Sequence, residues 1–351
     1  MNNIVDRTGF LIVRCEGLEL SRAERDLFKH PAIAGVILFK RNYSDRAQLT
    51  ELTEALHSIK PGFIVSVDQE CQSVQKFRDD FTQLPLPIEM GRYYDKDEEA
   101  ALKLAYAYGV VIGSEMREVN VDLSYMPVLD TAHFGGVIGD RAFHRDHEVV
   151  LALGREVVTG LHNGSLPACA KHFPGHGSVA GDTHTDKIVD SRPMAKIEAH
   201  DLHPYKTLIK GKFLDAVMLS HIIYDAVSDV PASLSEYWIK TVLREQLGFD
   251  GLVCTDDLDM VGIGDADVAM LKKAMDAGCN LLLVCRRREA QLRELLSGFT
   301  NAEIKHYSRL GAKHLDVLDT HIHNRIPRGT PHYKKAVDAI EAFNSQSAKE
   351  A

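Results

Sequence analysis

Apolar residues in this chain gather into short, nearly unbroken runs, and between the runs they return at helical spacing. Residues 9–13, 35–39, 63–67, 121–126, 166–170, 216–219, 251–254 and 280–284 are runs of the first kind and read as strands. Strands without polar alternation are buried on both faces, which is the mark of a parallel sheet covered by helices. The segments between them supply the helices. Ser21, with Glu24 three residues on, is a capping-box signature for a helix to about residue 30. Ser44 is expected to cap a second helix, which carries Leu49, Leu52 and Leu56 on one face. Further helices are expected over 97–118, 147–162, 193–210, 235–246 and 268–277, and helix ending in a polar tail beyond about residue 288.

Strand and helix thus alternate about eight times. That predicts an α/β fold: a single (β/α)8 TIM-type barrel with irregular strands, spanning 1–340 as one catalytic domain, with a polar C-terminal tail over 341–351. An open, doubly wound sheet is the alternative. No GxGxxG or GxxxxGK[ST] follows the first strand, which counts against a nucleotide-binding open sheet.

Composition narrows the partners. At 45% hydrophobic and 26% charged residues, the 351-residue chain has the balance of a soluble globular protein. A net charge of −9 and a pI near 6.0 argue against nucleic acid or an anionic membrane, both of which need a basic surface. Asp6 and Arg7 stand where the apolar core of a signal peptide would lie, and no run approaches the ~18 apolar residues of a membrane span. The six cysteines are scattered, without CxxC spacing, and read as reduced. A cytoplasmic monomer acting on a small molecule is expected, with no cofactor.

In such a barrel every strand C-terminus opens on one face, and that face holds the active site. The chain places Asp68, Asp130, Asp140 with Arg141, Lys171 with His172, His221, and Asp256 with Asp257 soon after its strands. The stretch KHFPGHGSVAGDTHTDKIVD, residues 171–190, is far longer than the usual connection of about 4–6 residues, and long connections tend to be functional. Three chemistries could use this set. His172, His176, His184 and Asp182 could ligate zinc, although neither HExxH nor an early HxH is present. Asp256 could serve as a nucleophilic carboxylate for glycoside cleavage, with His184 oriented by Asp182 as proton donor. Histidine titrates near ~6.5, and a neighbouring carboxylate favours its charged form. The same pocket could also bind sugar without turnover.

At these residues the chain resembles glycoside hydrolase family 3, and within it the single-domain NagZ-type β-N-acetylglucosaminidases of Gram-negative bacteria. The resemblance is carried by KHFPGHG at 171–177 with GDTHTD at 181–186, VIGDRAFHRD at 137–146, DAVMLSHIIY at 215–224, LGFDGLVCTDDLDM at 247–260 and VDQE at 67–70. It implies Asp256 as nucleophile and His184 as acid/base supported by Asp182. It also implies sugar contacts from Asp68, Arg141, Lys171 and His172, and from the position of Lys76. The implied reaction is retaining and metal-free, and it removes N-acetylglucosamine from anhydro-muropeptides (GlcNAc-anhydroMurNAc and its peptides) during cell-wall recycling. Because a histidine donor is uncharged once deprotonated, phosphate could compete with water as acceptor. The family's Gly-Gly-Arg is replaced here by Cys71, Gln72 and Ser73, and Lys76 stands where an arginine is expected. Lysine keeps the charge but loses the planar fork. If those glycines needed positive φ, each replacement would strain the loop by roughly 1 kcal/mol. A sugar-binding relative with lost or shifted activity is therefore the alternative.

Overall fold

The computed structural model describes residues 8–133, 137–322 and 326–350. Most of the opening segment read above, residues 1–7, lies outside them, as do 134–136 in the loop before Arg141, and Ala351 of the expected tail. Eight parallel strands form one sheet: β1 (Leu11–Arg14), β2 (Ile33–Leu38), β3 (Ile64–Val67), β4 (Leu123–Ser124), β5 (Cys169–Phe173), β6 (Ala216–Leu219), β7 (Leu252–Asp257) and β8 (Leu281–Val284). Their order is β4-β3-β2-β1-β8-β7-β6-β5. Isolated parallel bridges, Ser124 with Ala168 and Val128 with Lys171, span the remaining gap between β4 and β5. The result is a nearly closed α/β barrel of TIM type.

Strand side chains alternate between two cores, because successive residues of a strand point to opposite faces. Ile12, Ile37, Ile64, Leu123, Cys169, Met218, Cys254 and Leu283 fill the barrel interior. Val13, Val36, Val65, Ala170, Val217, Val253 and Leu282 face the surrounding helices. The runs look uniformly apolar because both faces are buried. The interior phase continues past the apolar part of several strands. Arg14 follows Ile12, Lys171 follows Cys169, and Asp256 follows Cys254, each two residues on and therefore aimed into the mouth.

The helices largely match expectation. Helix α1 (Arg22–Phe28) has the Ser21–Glu24 capping box. In α2 (Arg46–His57) the cap is Asp45, not Ser44: the Asp45 carboxylate accepts from the Gln48 amide at 2.9 Å. Helix α3 (Pro87–Tyr94) is an addition to the expected set, and α4 (Glu98–Glu118) and α5 (His147–Asn163) follow. The helix expected over 193–210 is two, α6 (Met194–Ala199) and α7 (Leu202–Lys210). The chain breaks where Asp201 turns inward to bind Arg192 at 2.8 Å. After a helix over Tyr237–Gln246 come α8 (Val268–Ala277), α9 (Glu289–Ser297), α10 (Asn301–Leu315) and α11 (Pro331–Glu350). Helix α11 continues through the segment expected as a polar tail, because Tyr333, Ala336 and Ile340 are buried and Phe343 packs on Tyr93. Among the described residues no helix is long and apolar enough to cross a membrane.

Candidate active site

The strand ends open on a cavity of about 600 Å³. Asp68, Lys76, Arg141, Lys171, His172, His184 and Asp256 all line it, so seven of the eight residues given roles by the family resemblance meet at one mouth. The eighth, Asp182, stands behind His184.

Lys171 is almost fully buried on β5. Its ammonium lies 2.8 Å from Asp68 Oδ1 and 3.6 Å from Glu70 Oε2. Burial works against its charge, but Asp68 and Glu70 outweigh burial and hold its pKa above the ordinary lysine range. Burial would raise the Asp68 carboxyl; the charges of Lys171, Lys76 and Arg141 instead pull it down to about 2. Arg141 closes the network with a 2.9 Å ion pair to Glu70, and its Nη1 donates to the Val137 carbonyl. Two carboxylates and two buried cations thus lock one another in place, with polar edges left toward the cavity. Such a lattice suits the hydroxyls of a sugar.

Asp130 organises the next group. Its buried carboxylate accepts from His172 Nδ1 at 2.6 Å and from the His176 amide at 2.6 Å, with the His172 amide at 3.3 Å. That bond leaves His172 Nε2 facing Asp256, 3.9 Å from Oδ2. Asp256 Oδ1 accepts from the Asp257 amide at 2.8 Å. Burial pushes the Asp256 carboxyl up, but His172, His221, Lys171 and that amide together keep it below its ordinary range. An ionised, fixed carboxylate at the cavity floor has the character a nucleophile needs.

The loop after β5 supplies the other half. Asp182 Oδ1 accepts from His184 Nδ1 at 2.7 Å and from the His184 amide at 2.8 Å. The dyad leaves Nε2 to exchange a proton. Both side chains are about four-tenths exposed. The loop is docked across the mouth rather than beside β5: the Gly262 amide donates to the Thr183 carbonyl at 3.1 Å.

The remaining candidates have bracing roles. His221 is tied to Ser233 Oγ at 2.8 Å and to the Asp257 carbonyl at 3.1 Å. Asp257 borders the cavity, but its carboxylate accepts from the Cys285 and Asp259 amides, and burial raises it to about 6. Asp190 binds Arg192, and His144 meets Asp95 at the surface. His176 is buried with neither ring nitrogen bonded. The four residues offered for zinc do not converge: His172 is held by Asp130 and His184 by Asp182. Among the described residues, the donor groups that do converge lie elsewhere, at His147, Glu148 and His203 and at His162, Asp215 and His321. The feared strain in the loop is absent: Cys71, Gln72 and Ser73 are not among the positive-φ residues. They lie in a small hairpin, Gln69–Cys71 with Val74–Gln75, and Ser73 Oγ reaches Asp140 at 3.3 Å.

Glu70 and Asp130 were not assigned roles from sequence. The Glu70 signal was present in VDQE, and Asp130 stood in the strand-end set; the buried pairing that makes each important is visible only in three dimensions.

The chain matches known proteins over most of its length. Residues 7–313 match the glycosyl hydrolase family 3 N terminal domain. The chain is 43% identical over 286 residues to a β-hexosaminidase of Nitrosospira multiformis, covering 80% of this chain and 82% of that protein. It is 44% identical over 283 residues to the β-hexosaminidase of Bordetella pertussis, covering 79% and 80%. The crystal structure of NagZ from Neisseria gonorrhoeae in complex with N-trifluoroacetyl-D-glucosamine superposes with a TM-score of 0.87 at 33% identity, over 96% of this chain and 98% of that one.

Proposed function

This chain belongs to glycosyl hydrolase family 3, and from that premise we propose that it is a retaining exo-β-N-acetylglucosaminidase. The observation that carries the reading is the pairing of a charge-stabilised carboxylate, Asp256, with an Asp182–His184 dyad on the rim of the same cavity. Asp256 attacks the anomeric carbon as the glycosidic C–O bond breaks. His184 Nε2 gives its proton to the departing oxygen. In the second step water attacks the same carbon, His184 takes the water's proton, and the bond to Asp256 breaks. Two inversions leave the β configuration. Asp68, Lys76, Arg141, Lys171 and His172 hold the sugar.

The β-hexosaminidase relatives and the N-acyl-glucosamine ligand of the Neisseria enzyme support N-acetylglucosamine as the glycosyl group. The resemblance to the cell-wall recycling enzymes extends the proposal to anhydro-muropeptides handled in the cytoplasm by a single-domain monomer. The test is hydrolysis of an aryl β-N-acetylglucosaminide by the purified chain, with the product's anomer followed by NMR. β-N-acetylglucosamine as first product is expected. An inert protein that still binds N-acetylglucosamine would replace the hydrolase reading with that of a sugar-binding relative, and recovery of activity on restoring Gly-Gly-Arg at 71–73 would trace the loss to that loop.

A further inference from the structure

Among the described residues, two groups of histidines and carboxylates lie apart from the cavity, and their geometry separates them. At His162 and His321 the rings are stacked face to face, 3.7 Å apart and within 11° of parallel. A metal ion lies in the plane of each imidazole that ligates it, and two parallel planes share no such point. The two Nε2 atoms are spent on opposite oxygens of Asp215, at 2.7 and 3.0 Å. That group is closed by its own hydrogen bonds.

The second group is open. His147 and Glu148 begin α5, and His203 stands in the first turn of α7. The His147 and His203 rings are inclined at 66°, with centroids 4.8 Å apart, so their planes cross. The Glu148 carboxylate stands beside both: Oε1 lies 3.0 Å from His203 Nε2 and 3.8 Å from His147 Nε2. Zinc binds imidazole nitrogen and carboxylate oxygen at about 2.0–2.2 Å in a tetrahedron, which sets its donors roughly 3.4 Å apart. The two observed spacings bracket that value. His200, in the bend between α6 and α7, faces the far side of His147, Nδ1 to Nδ1 at 3.4 Å. A proton donated there by His147 Nδ1 leaves Nε2 as its lone-pair nitrogen, the support that metal-bound histidines usually have. All three donor residues are at least partly exposed, so an ion enters without opening the fold and water can take the fourth position. The N-terminal ends of α5 and α7 disfavour a cation. The carboxylates of Glu148 and of Asp146, whose Oδ1 lies 4.0 Å from His147 Nδ1, offset them.

We propose that His147, Glu148 and His203 form a binding site for a divalent metal of the zinc class, outside the catalytic cavity. The ion ties the start of α5 to the α6–α7 bend. Asp201, in that bend, is buried and binds Arg192 at 2.8 Å. It also packs on Gly175 of the catalytic loop, where an added methyl would fall 2.6 Å from Asp201 Cβ. The metal thus stiffens the support beneath that loop and takes no part in the chemistry, so the site stands whether or not the chain is a hydrolase.

The test titrates zinc chloride into the full chain, carrying no histidine tag, by calorimetry near neutral pH. A His184→Ala background removes the exposed imidazole of the catalytic cavity as a competing ligand. One ion per chain is expected, with a Kd of about 1–10 µM. Replacing both ligand histidines, His147→Ala with His203→Ala, should weaken binding about a hundredfold. His200→Ala should weaken it about tenfold, since that residue supports His147 without touching the ion. His162→Ala should leave it unchanged. Zinc should raise the unfolding midpoint of the parent and not that of the double variant. Both ligand histidines are partly exposed, so without zinc the double variant should unfold where the parent does, which separates a lost ligand from a lost fold. Absence of a micromolar site overturns the proposal. So does undiminished binding in the double variant, loss of binding in a folded His162→Ala, or uptake of one ion per two chains with zinc-induced dimerisation.

Discussion

The floor of the mouth and the loop that leans over it use the same side chains, aspartate and histidine, under opposite conditions. On the floor Asp130, His172 and Asp256 sit on strand ends or directly behind them and are largely or fully buried; burial pushes the Asp130 and Asp256 carboxyls up, but neighbouring charges hold both below their ordinary range. On the loop Asp182 and His184 are about four-tenths exposed and joined mainly to each other. A nucleophile gains from a rigid setting, since misplacement by about 1 Å can cost about a hundredfold in rate. A proton donor has to serve two steps and let product leave, which favours a group on a movable support.

Removing one partner on each side tests this division. Asp256→Ala is expected to lower kcat about a thousandfold or more with every substrate, since the proposed covalent step loses its nucleophile. His184→Ala is expected to cost about a hundredfold to ten-thousandfold with poor leaving groups and much less with good ones, which need no proton. A series of aryl glycosides measures this, and an equal loss across the series would remove His184 from the acid role. The docking of the loop can be disturbed without touching the dyad. A methyl at Gly262 would fall 2.1 Å from the Asp186 carbonyl oxygen and 2.5 Å from that of Thr183. Gly262→Ala should therefore lower kcat by about tenfold on poor leaving groups while the unfolding midpoint changes little. The smallest effect concerns pH. Asp257 is raised from 3.8 to about 6, so it stabilises the fold fully below about pH 3.8, and that contribution is lost as pH rises through about 6. Asp68 runs the other way: lowered to about 2, it stabilises above about pH 3.8 and the contribution is lost as pH falls toward 2. Thermal unfolding of Asp257→Asn against wild type should differ in slope between pH 4 and 6 and coincide in slope below it.

The same division explains what the sequence made legible. The barrel was readable because each strand is apolar on both faces, and Ala216–Leu219 and Val268–Ala277 fall where expected. Strand ends at the mouth were read short. Lys171 and His172 lie inside β5, and Asp256 and Asp257 inside β7, because polar residues aimed into a cavity look like loop residues to a pattern of hydrophobicity. The loop dyad was readable, since a D-x-H pair is a local arrangement. Glu70 and Asp130 were not assigned, since their partners Arg141, Lys171 and His172 are distant in sequence. Helix α3 carries little signal because it is short and set in a polar stretch.

The gap between β4 and β5 gives the barrel a weak line. Seven strand junctions have ladders, three of them with register shifts, whereas among the described residues this one has only isolated bridges. The Asp130 carboxylate crosses it, gripping the His172 and His176 amides from the opposite side. It adds to the backbone bonds that cross there, from Cys169 to the Met126 carbonyl at 2.8 Å, from Lys171 to Pro127 at 3.1 Å and from Leu129 to Lys171 at 2.8 Å, and the same carboxylate orients the imidazole that faces Asp256. Closure of the barrel and the aim of His172 at Asp256 thus share one carboxylate, so a fluctuation that parted this seam would also turn that imidazole away.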